Sequence, residues 1–342
     1  MMEMKDYTRY PNSLRAYGGA AGRKVGILIE DEPYILKLPG NLKERNMKNV
    51  RLSYSNGPVS EYIGSHIYHS IGLPVHETSL GTYNGKVAVA CKDFLKNDEK
   101  LYEFEKLKVT FVPQFLDSNG NETNGTGCDL QEVLLTINEH KILNKIEGVE
   151  KRFWDMFVID ALIGNPDRNN GNWGVIIDSK NNIRLAPVYD NGNCLNDKWD
   201  DEKMQHCLME PKSLVAEAYK GKICIYELND RRINPYKLIE AREYPGCNAA
   251  LKRIVPNIDM SKIAKIIDEV PCISAIQKQF YMALLNQRYE NVLLPAYQLE
   301  TENSSIKEGM DKWKQAIYDR QKSMKDVPYK NELSKGDKEP TL

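Results

Sequence analysis

Apolar positions recur along this chain with two periods. Short β-branched and aliphatic runs come first: VGILIE, closed by the turn residues DEP, and then YILKLPG. Both predict strands. Pro58–Gly72 changes to a helical spacing, with Ile63, Ile67 and Ile71 four residues apart and Gly72 as the stop. Strands return in ETSLGTY and KVAVACKDF, joined by the hairpin dipeptide Asn84-Gly85. Past Leu95 a helical-looking segment reaches Phe115, and DSNGNETNGTG is a flexible loop by composition. Leu130–Lys145 is helical again behind the capping residue Asp129. FWDMFVIDALIG is apolar on nearly every face and reads as a buried helix ending at Gly164. WGVII (Trp173–Ile177) and IRLAPVY (Ile183–Tyr189), joined by DSKNN, read as a hairpin. Beyond Asn234 come PYKLIEAREY, NAALKRIVP and DMSKIAKIIDEVP, the last capped by Asp259 and ended by Pro271. A long amphipathic helix follows over Ile273–Leu299, interrupted near Pro295, and charge-rich Asn303–Leu342 has the composition of a disordered tail.

At 342 residues the chain can fill two lobes. Its 47 Lys and Arg against 48 Asp and Glu leave no overall field to draw nucleic acid or a membrane surface, so a charged ligand must be met by a local site. Seven cysteines, at 91, 128, 194, 207, 224, 247 and 272, are odd in number and lack any CxxC. That pattern suits reduced thiols and argues against a disulfide framework or a zinc site. No run approaches the length of a membrane span, and the first dozen residues lack a signal-peptide core. A cytoplasmic chain is expected.

The candidate chemistry lies in GNPDRNNGNWG (Gly164–Gly174) and APVYDNG (Ala186–Gly192). Asp167 precedes Asn172 by five positions, and Asp190 follows the hairpin in an Asp-Asn-Gly turn. Protein kinases space a hydroxyl-orienting aspartate, a metal-binding asparagine and a metal-binding aspartate in this way. Asn172 and Asp190 offer the hard oxygen donors that suit magnesium held jointly with phosphates. Asn, Asp and Gly are also the commonest turn formers, so a plain surface loop is the alternative for Asn165–Asn172. Lys37 sits inside the apolar run YILKLP and needs a partner there, unless it lies on the solvent face of an edge strand. Glu61 falls in the first turn of the Pro58–Gly72 helix, off its isoleucine stripe. A glutamate there either supports a strand lysine on the α and β phosphates or answers the helix dipole. YGGAAGRK (Tyr17–Lys24) is glycine-rich but is neither a Walker A loop nor a G-x-G-x-x-G loop. Cys91, Lys92 and Asp93 leave the last strand where a hinge would hold adenine. His66, His69 and His76 lack a fixed third ligand pattern and read as structural histidines rather than a metal site. Lys198–Asp201 either contacts an acceptor or is ordinary solvated charge, and the second reading is favoured.

With these residues assembled, the chain resembles the HipA-like serine/threonine kinases, in their compact stand-alone form, from about Tyr17 to Leu299. The resemblance rests on YGGAAGRK, YILKLP, SEYIGSHIYHSIGLPV, VAVACKDF, FWDMFVIDALIGNPDRNNGNWG and LAPVYDNG. It implies an α+β, two-lobed protein-kinase-like fold, with a small antiparallel β lobe carrying one helix and a larger, mainly helical C-terminal lobe. Residues 1–95 would form the first lobe, 96–300 the second, and 301–342 a charged tail. It implies ATP and Mg2+ as cofactors, Asp167 as the catalytic aspartate and Asn172 and Asp190 as metal ligands. Lys37 would contact phosphate with Glu61 as its support, while Gly18, Gly19, Ala20, Ala21, Gly22 and Lys24 would cover the phosphates. Serine/threonine phosphorylation, including self-phosphorylation, is the expected activity. The rivals are a phosphotransferase acting on a small molecule or lipid, and a toxin-related nucleotide-binding module without turnover. The chain lacks the His-Arg that precedes the catalytic aspartate in eukaryotic kinases, and Asn191 stands where phenylalanine would follow the metal aspartate. The glycine loop begins almost at once, which argues against an additional N-terminal subdomain and pairing with an antitoxin.

Overall fold

The computed structural model describes residues 3–13, 24–43, 52–111, 115–116, 122–123, 127–302, 310 and 314–315. The glycine-rich stretch Gly18–Gly22, the loop DSNGNETNGTG for most of its length and nearly all of Asn303–Leu342 lie outside these residues. Residues 1–297 make one compact unit and 298–342 a second.

β1 (Lys5–Asp6), β2 (Lys24–Ile29) and β3 (Glu32–Lys37) precede α1 (Gly57–Ser70), and β4 (Thr78–Tyr83) and β5 (Lys86–Lys92) follow it. They form one sheet in the order β1-β4-β5-β3-β2, antiparallel apart from β1 on β4. Its second hairpin turns at Asn84-Gly85 as predicted, and its first at Glu30-Asp31, one residue ahead of the expected DEP turn, with Glu32 and Pro33 already in β3. Glu30, Asp31, Asn84 and Gly85 all have positive φ, the backbone that two-residue hairpin loops require. Alternation then sorts the side chains. Leu36, Ala88 and Ala90 join Tyr7 and Ile27 in a small core on one face. Ile35, Val89 and Cys91 meet the main core on the other. Lys37 pairs in register with Val89, so the period of two puts its amine on the α1 side of the sheet.

Helix α1 ends at Ser70 with Ile71 as its C-cap, and Gly72 follows at φ +91. Because it starts at Gly57, Glu61 lies one turn in rather than in the first turn, and it is buried instead of sampling the dipole at the surface. Ile63 and Ile67 are fully buried in the main core.

The segment expected to be helical as far as Phe115 contains a strand. β6 (Lys100–Glu103) pairs with β9 (Gly174–Ile177), and β10 (Ile183–Leu185) completes that three-stranded sheet; α2 (Phe104–Phe111) follows β6 directly. Pairing across about seventy residues overrides a local pattern too short to declare a period. A two-residue pair, β7 (Phe115–Leu116) and β8 (Glu122–Thr123), comes next. α3 (Leu130–Glu139) is capped by Asp129 as expected, and it stops short of Lys145 because His140 turns to extended backbone.

α4 (Val149–Ile163) is the buried axis of the helical part, with nearly every residue from Phe153 to Ile163 inside the core. Gly164 ends it at φ +66. α5 (Asp201–Met209), α6 (Pro211–Val215) and a π-helical turn over Ala216–Lys220 follow, then β11 (Glu227–Leu228) and β12 (Arg231–Arg232). α7 (Pro235–Ala241), α8 (Pro245–Ile254), α9 (Met260–Asp268) and α10 (Ala275–Arg288) complete the unit, with Asp259 capping α9. α10 gives way to a second π turn at Tyr289–Leu293 just before Pro295, where the sequence expects an interruption.

Buried Arg288 of α10 closes the end of α4, donating to the carbonyls of Leu162 at 3.2 Å and Ala218 at 2.9 Å. A Cβ at Gly164 would stand 2.5 Å from its guanidinium. Gly164→Ala is therefore expected to cost about 2–4 kcal/mol, from left-handed backbone strain and displacement of Arg288. A urea denaturation series against the parent chain checks this; a change within about 0.5 kcal/mol contradicts it.

Candidate active site

The last residue of β3 reaches across to α1 and to the Asp-Asn-Gly turn. Lys37 Nζ lies 2.8 Å from Glu61 Oε2 and 2.9 Å from Asp190 Oδ1. Glu61 is 1% exposed, and its other oxygen accepts from His76 Nε2 at 2.9 Å and from the Asn191 N–H at 3.1 Å. Both carboxylate oxygens are thus spoken for. His76 follows α1 in the Leu73–Glu77 connection and also meets Ser65 Oγ at 3.2 Å. Nothing in its local sequence pointed to this role. Among the described residues, Glu61, His76 and Cys91 form a buried group of metal-ligating types. Glu61 already answers Lys37, His76 and Asn191, so this group is a structural knot. His66 turns its Nδ1 to the Tyr62 carbonyl at 2.9 Å, in keeping with a structural histidine.

Burial alone would push the Lys37 amine down, but the Glu61 and Asp190 carboxylates outweigh it and hold the amine well above its ordinary value. Burial likewise would raise Glu61, yet Lys37 and His76 hold its carboxyl below the usual range. Lys37 is also the main cause of the lowered value of Asp190, against its burial and the Glu61 charge. Asp190 keeps 34% of its side chain exposed and sits at φ +62, a left-handed backbone that aspartate tolerates better than most residues.

Asp167 is fixed by the asparagines around it. Its Oδ2 accepts from Asn193 Nδ2 at 2.8 Å, its Oδ1 from Asn169 Nδ2 at 3.1 Å, and its N–H donates to Asn165 Oδ1 at 3.1 Å. Asn172 Nδ2 donates to the Asp167 carbonyl at 2.7 Å, which orients the amide and leaves its oxygen as the other face. Beneath this loop lies Arg168, 2% exposed. Its guanidinium forks onto Asp160 of α4 at 2.8 and 3.1 Å. It also donates to the Asn172 carbonyl at 3.0 Å, to the Tyr189 carbonyl and to Asn191 Oδ1. One buried cation therefore sets the spacing between the Asp167 loop and the segment that presents Asp190. Its signal in the sequence was a lone arginine in the polar loop after a largely apolar helix; its partners were not visible there.

Lys37, Glu61, Asp190 and Asn193 line one cleft with Gly57 and Gly192. Lys24 stands opposite Lys37 in the β2–β3 register and adds its charge to the field at Asp190. Of the hinge candidates, Cys91 and Lys92 end β5 and Asp93 follows it. Cys91 is a core residue of β5 whose thiol burial pushes up. The N–H groups of Lys92 and Asp93 are donated within the sheet, to Glu77 at 2.9 Å and Pro33 at 2.9 Å, so neither is left for a ligand.

Comparison with known proteins now bears on this geometry. The family model for the HipA-like C-terminal domain matches residues 17–219. The chain belongs to this family. Its sequence is 39% identical over 285 residues to the serine/threonine-protein kinase CtkA of Helicobacter pylori, covering 82% of this chain and 84% of that protein. A crystal structure of a Helicobacter pylori proinflammatory kinase CtkA superposes with a TM-score of 0.80 at 35% identity, over 88% of this chain and 99% of that one. HipA from the Shewanella oneidensis complex with HipB and operator DNA is 11% identical, with a TM-score of 0.46 over 84% of this chain and 67% of that one. The fold is the α+β, kinase-like fold of CtkA. Within this HipA-family chain the seven cysteines are all unbonded, and no helix among the described residues is long and apolar enough to cross a membrane.

The lowered carboxyls carry a pH signature. Glu61 titrates lower in the folded chain than in the unfolded one, so the unfolded chain binds more protons and stability rises with pH. The contribution is fully present above about 4.5, the ordinary value for glutamate, and is lost as pH falls toward the folded value. Glu61→Gln should flatten the fall in urea midpoint between about pH 5 and pH 3. Equal slopes in parent and variant would contradict the pairing.

Proposed function

We propose that this chain is an ATP- and Mg2+-dependent kinase that phosphorylates serine or threonine hydroxyls, its own included. The observation that carries the reading is the Lys37 amine bridging Glu61 and Asp190 in one cleft, bordered by the Asn193 that holds Asp167. The 39% identity with a protein named serine/threonine-protein kinase supports it.

In this reading the hydroxyl oxygen attacks the γ-phosphorus of ATP, the bond from that phosphorus to the β–γ bridging oxygen breaks, and ADP departs. Asp167 aims the hydroxyl and takes its proton late in the transfer. Lys37 offers its charge to the α and β phosphates, and Glu61 keeps the amine extended toward them. Asn172 and Asp190 present an amide oxygen and a partly exposed carboxylate, hard donors that fit a magnesium ion. That ion, when bound, neutralises charge building on the phosphate oxygens. Most of the acceleration is positioning and electrostatics, so the rigid hydrogen bonding of the loop serves the chemistry directly. The glycine-rich stretch would lie over the phosphates, and the reading places the two lobes on either side of Leu95. Unpaired thiols fit a reducing, cytoplasmic compartment.

Incubation with labelled ATP and Mg2+ should label the chain on serine or threonine. Asp167→Asn is expected to lower the rate by about 10²–10⁴-fold, the usual worth of a positioned proton acceptor. Lys37→Met and chelation of Mg2+ should abolish labelling within the assay range. Undiminished labelling in Asp167→Asn sinks the assignment.

A further inference from the structure

A second cavity, of about 340 Å3, shares Asn193, Asp197 and Lys198 with the cleft that holds Lys37. Its near edge is the Asp167 loop itself, through Gly164, Asn165 and Pro166. Asn193, whose amide holds Asp167 Oδ2, stands on the border of the two spaces. The volume is that of a ligand site, far more than the 70 Å3 at Lys37.

The walls define what fits. Phe157, Ala161, Ile225, Tyr226 and Tyr236 make them largely apolar, and Trp199 closes one side after stacking on Phe280. The charges on the lining are matched in pairs: Asp160 with Arg168, Glu217 with Lys222, and Asp197 with Lys198 at 3.7 Å. No sign of charge is left over to attract an ionic group. The Tyr226 hydroxyl is buried and has no hydrogen-bond partner, the kind of polar atom that a bound group satisfies. One wall is built on the π-helical turn Ala216–Lys220, whose Glu217 accepts from Asn196 and Lys222. Such turns are rare and recur at functional sites. Lys198 and Trp199 are thus part of a concave surface, not the solvated charge that the sequence suggests.

We propose that this cavity is the subsite for a polypeptide acceptor, taking an uncharged apolar or aromatic side chain that flanks the phosphorylated serine or threonine. The proposal rests on the kinase reading above. A residue seated here is anchored beside Asn193 and so delivers a near neighbour's hydroxyl to Asp167. Burial of the side chain then supplies the selectivity, because a charged residue would be desolvated without a partner.

A position-scanning library of serine peptides, phosphorylated by the full chain with labelled ATP, tests this. Expected is a preference at one flanking position for Leu, Ile, Met or Phe over Asp and Lys of about tenfold or more in kcat/KM. Ile223 lines the cavity and is 53% exposed, so it tolerates change. Ile223→Glu should shift the same position toward Lys or Arg by about tenfold relative to the parent, an altered preference that misfolding cannot produce. Ile225→Asp should act in the same direction. The proposal is overturned if the parent labels itself yet shows no flanking preference or labels no peptide. It is equally overturned if both variants keep the parent's preference. A parent that turns over no ATP at all removes the kinase reading, and the subsite with it.

Discussion

A carboxylate buried away from water must have every lone pair answered, and Glu61 is that constraint here. One oxygen takes the Lys37 amine; the other takes His76 and the backbone of Asn191. Sheet, helix and Asp-Asn-Gly turn therefore meet at one side chain. Buried ion pairs of this kind add little net stability, because desolvation offsets attraction. What they do is penalise every arrangement that leaves a charge alone. The amine is placed because it has nowhere else to go.

Arg168 applies the same logic on the other side of the site. It binds α4 through Asp160, the Asn172 carbonyl of the Asp167 loop and the Tyr189 and Asn191 positions beside Asp190. Three segments far apart in the chain are held at fixed spacing by a planar fork with five donors, a role lysine could not fill. Tyr68 adds its hydroxyl to Asp160 at 2.9 Å, tying α1 to the same knot. Eukaryotic kinases carry an arginine ahead of their aspartate; here the arginine follows it, and the sequence alone suggested only that the former was missing.

Much of the fold was legible because its signals are local. Asn84-Gly85, Gly72 and Gly164 sit at positive φ in a turn or at a helix end, and Asp129 caps a helix with its side chain. The pairing of Lys37 with Glu61 could be anticipated from a charged residue in an apolar strand and an acidic residue off an apolar stripe. The rest depended on distance. β6 is a strand only because β9 lies beside it, and His76 matters only because α1 folds back over it. Cys91, Lys92 and Asp93 are a strand exit as expected, with β5 ending at Lys92, but that the N–H groups of Lys92 and Asp93 go to Glu77 and Pro33 could not be read from the chain.

Gly64 lies in the middle of α1, and a Cβ there would stand 3.0 Å from Asn191 and 3.1 Å from Cys194. The bare helix backbone there rests directly on the Asn191 and Cys194 side chains, and a side chain at this position would push α1 and the turn apart. An outward displacement of α1 would therefore break the Glu61 contacts to the Asn191 backbone and to the Lys37 amine in one movement.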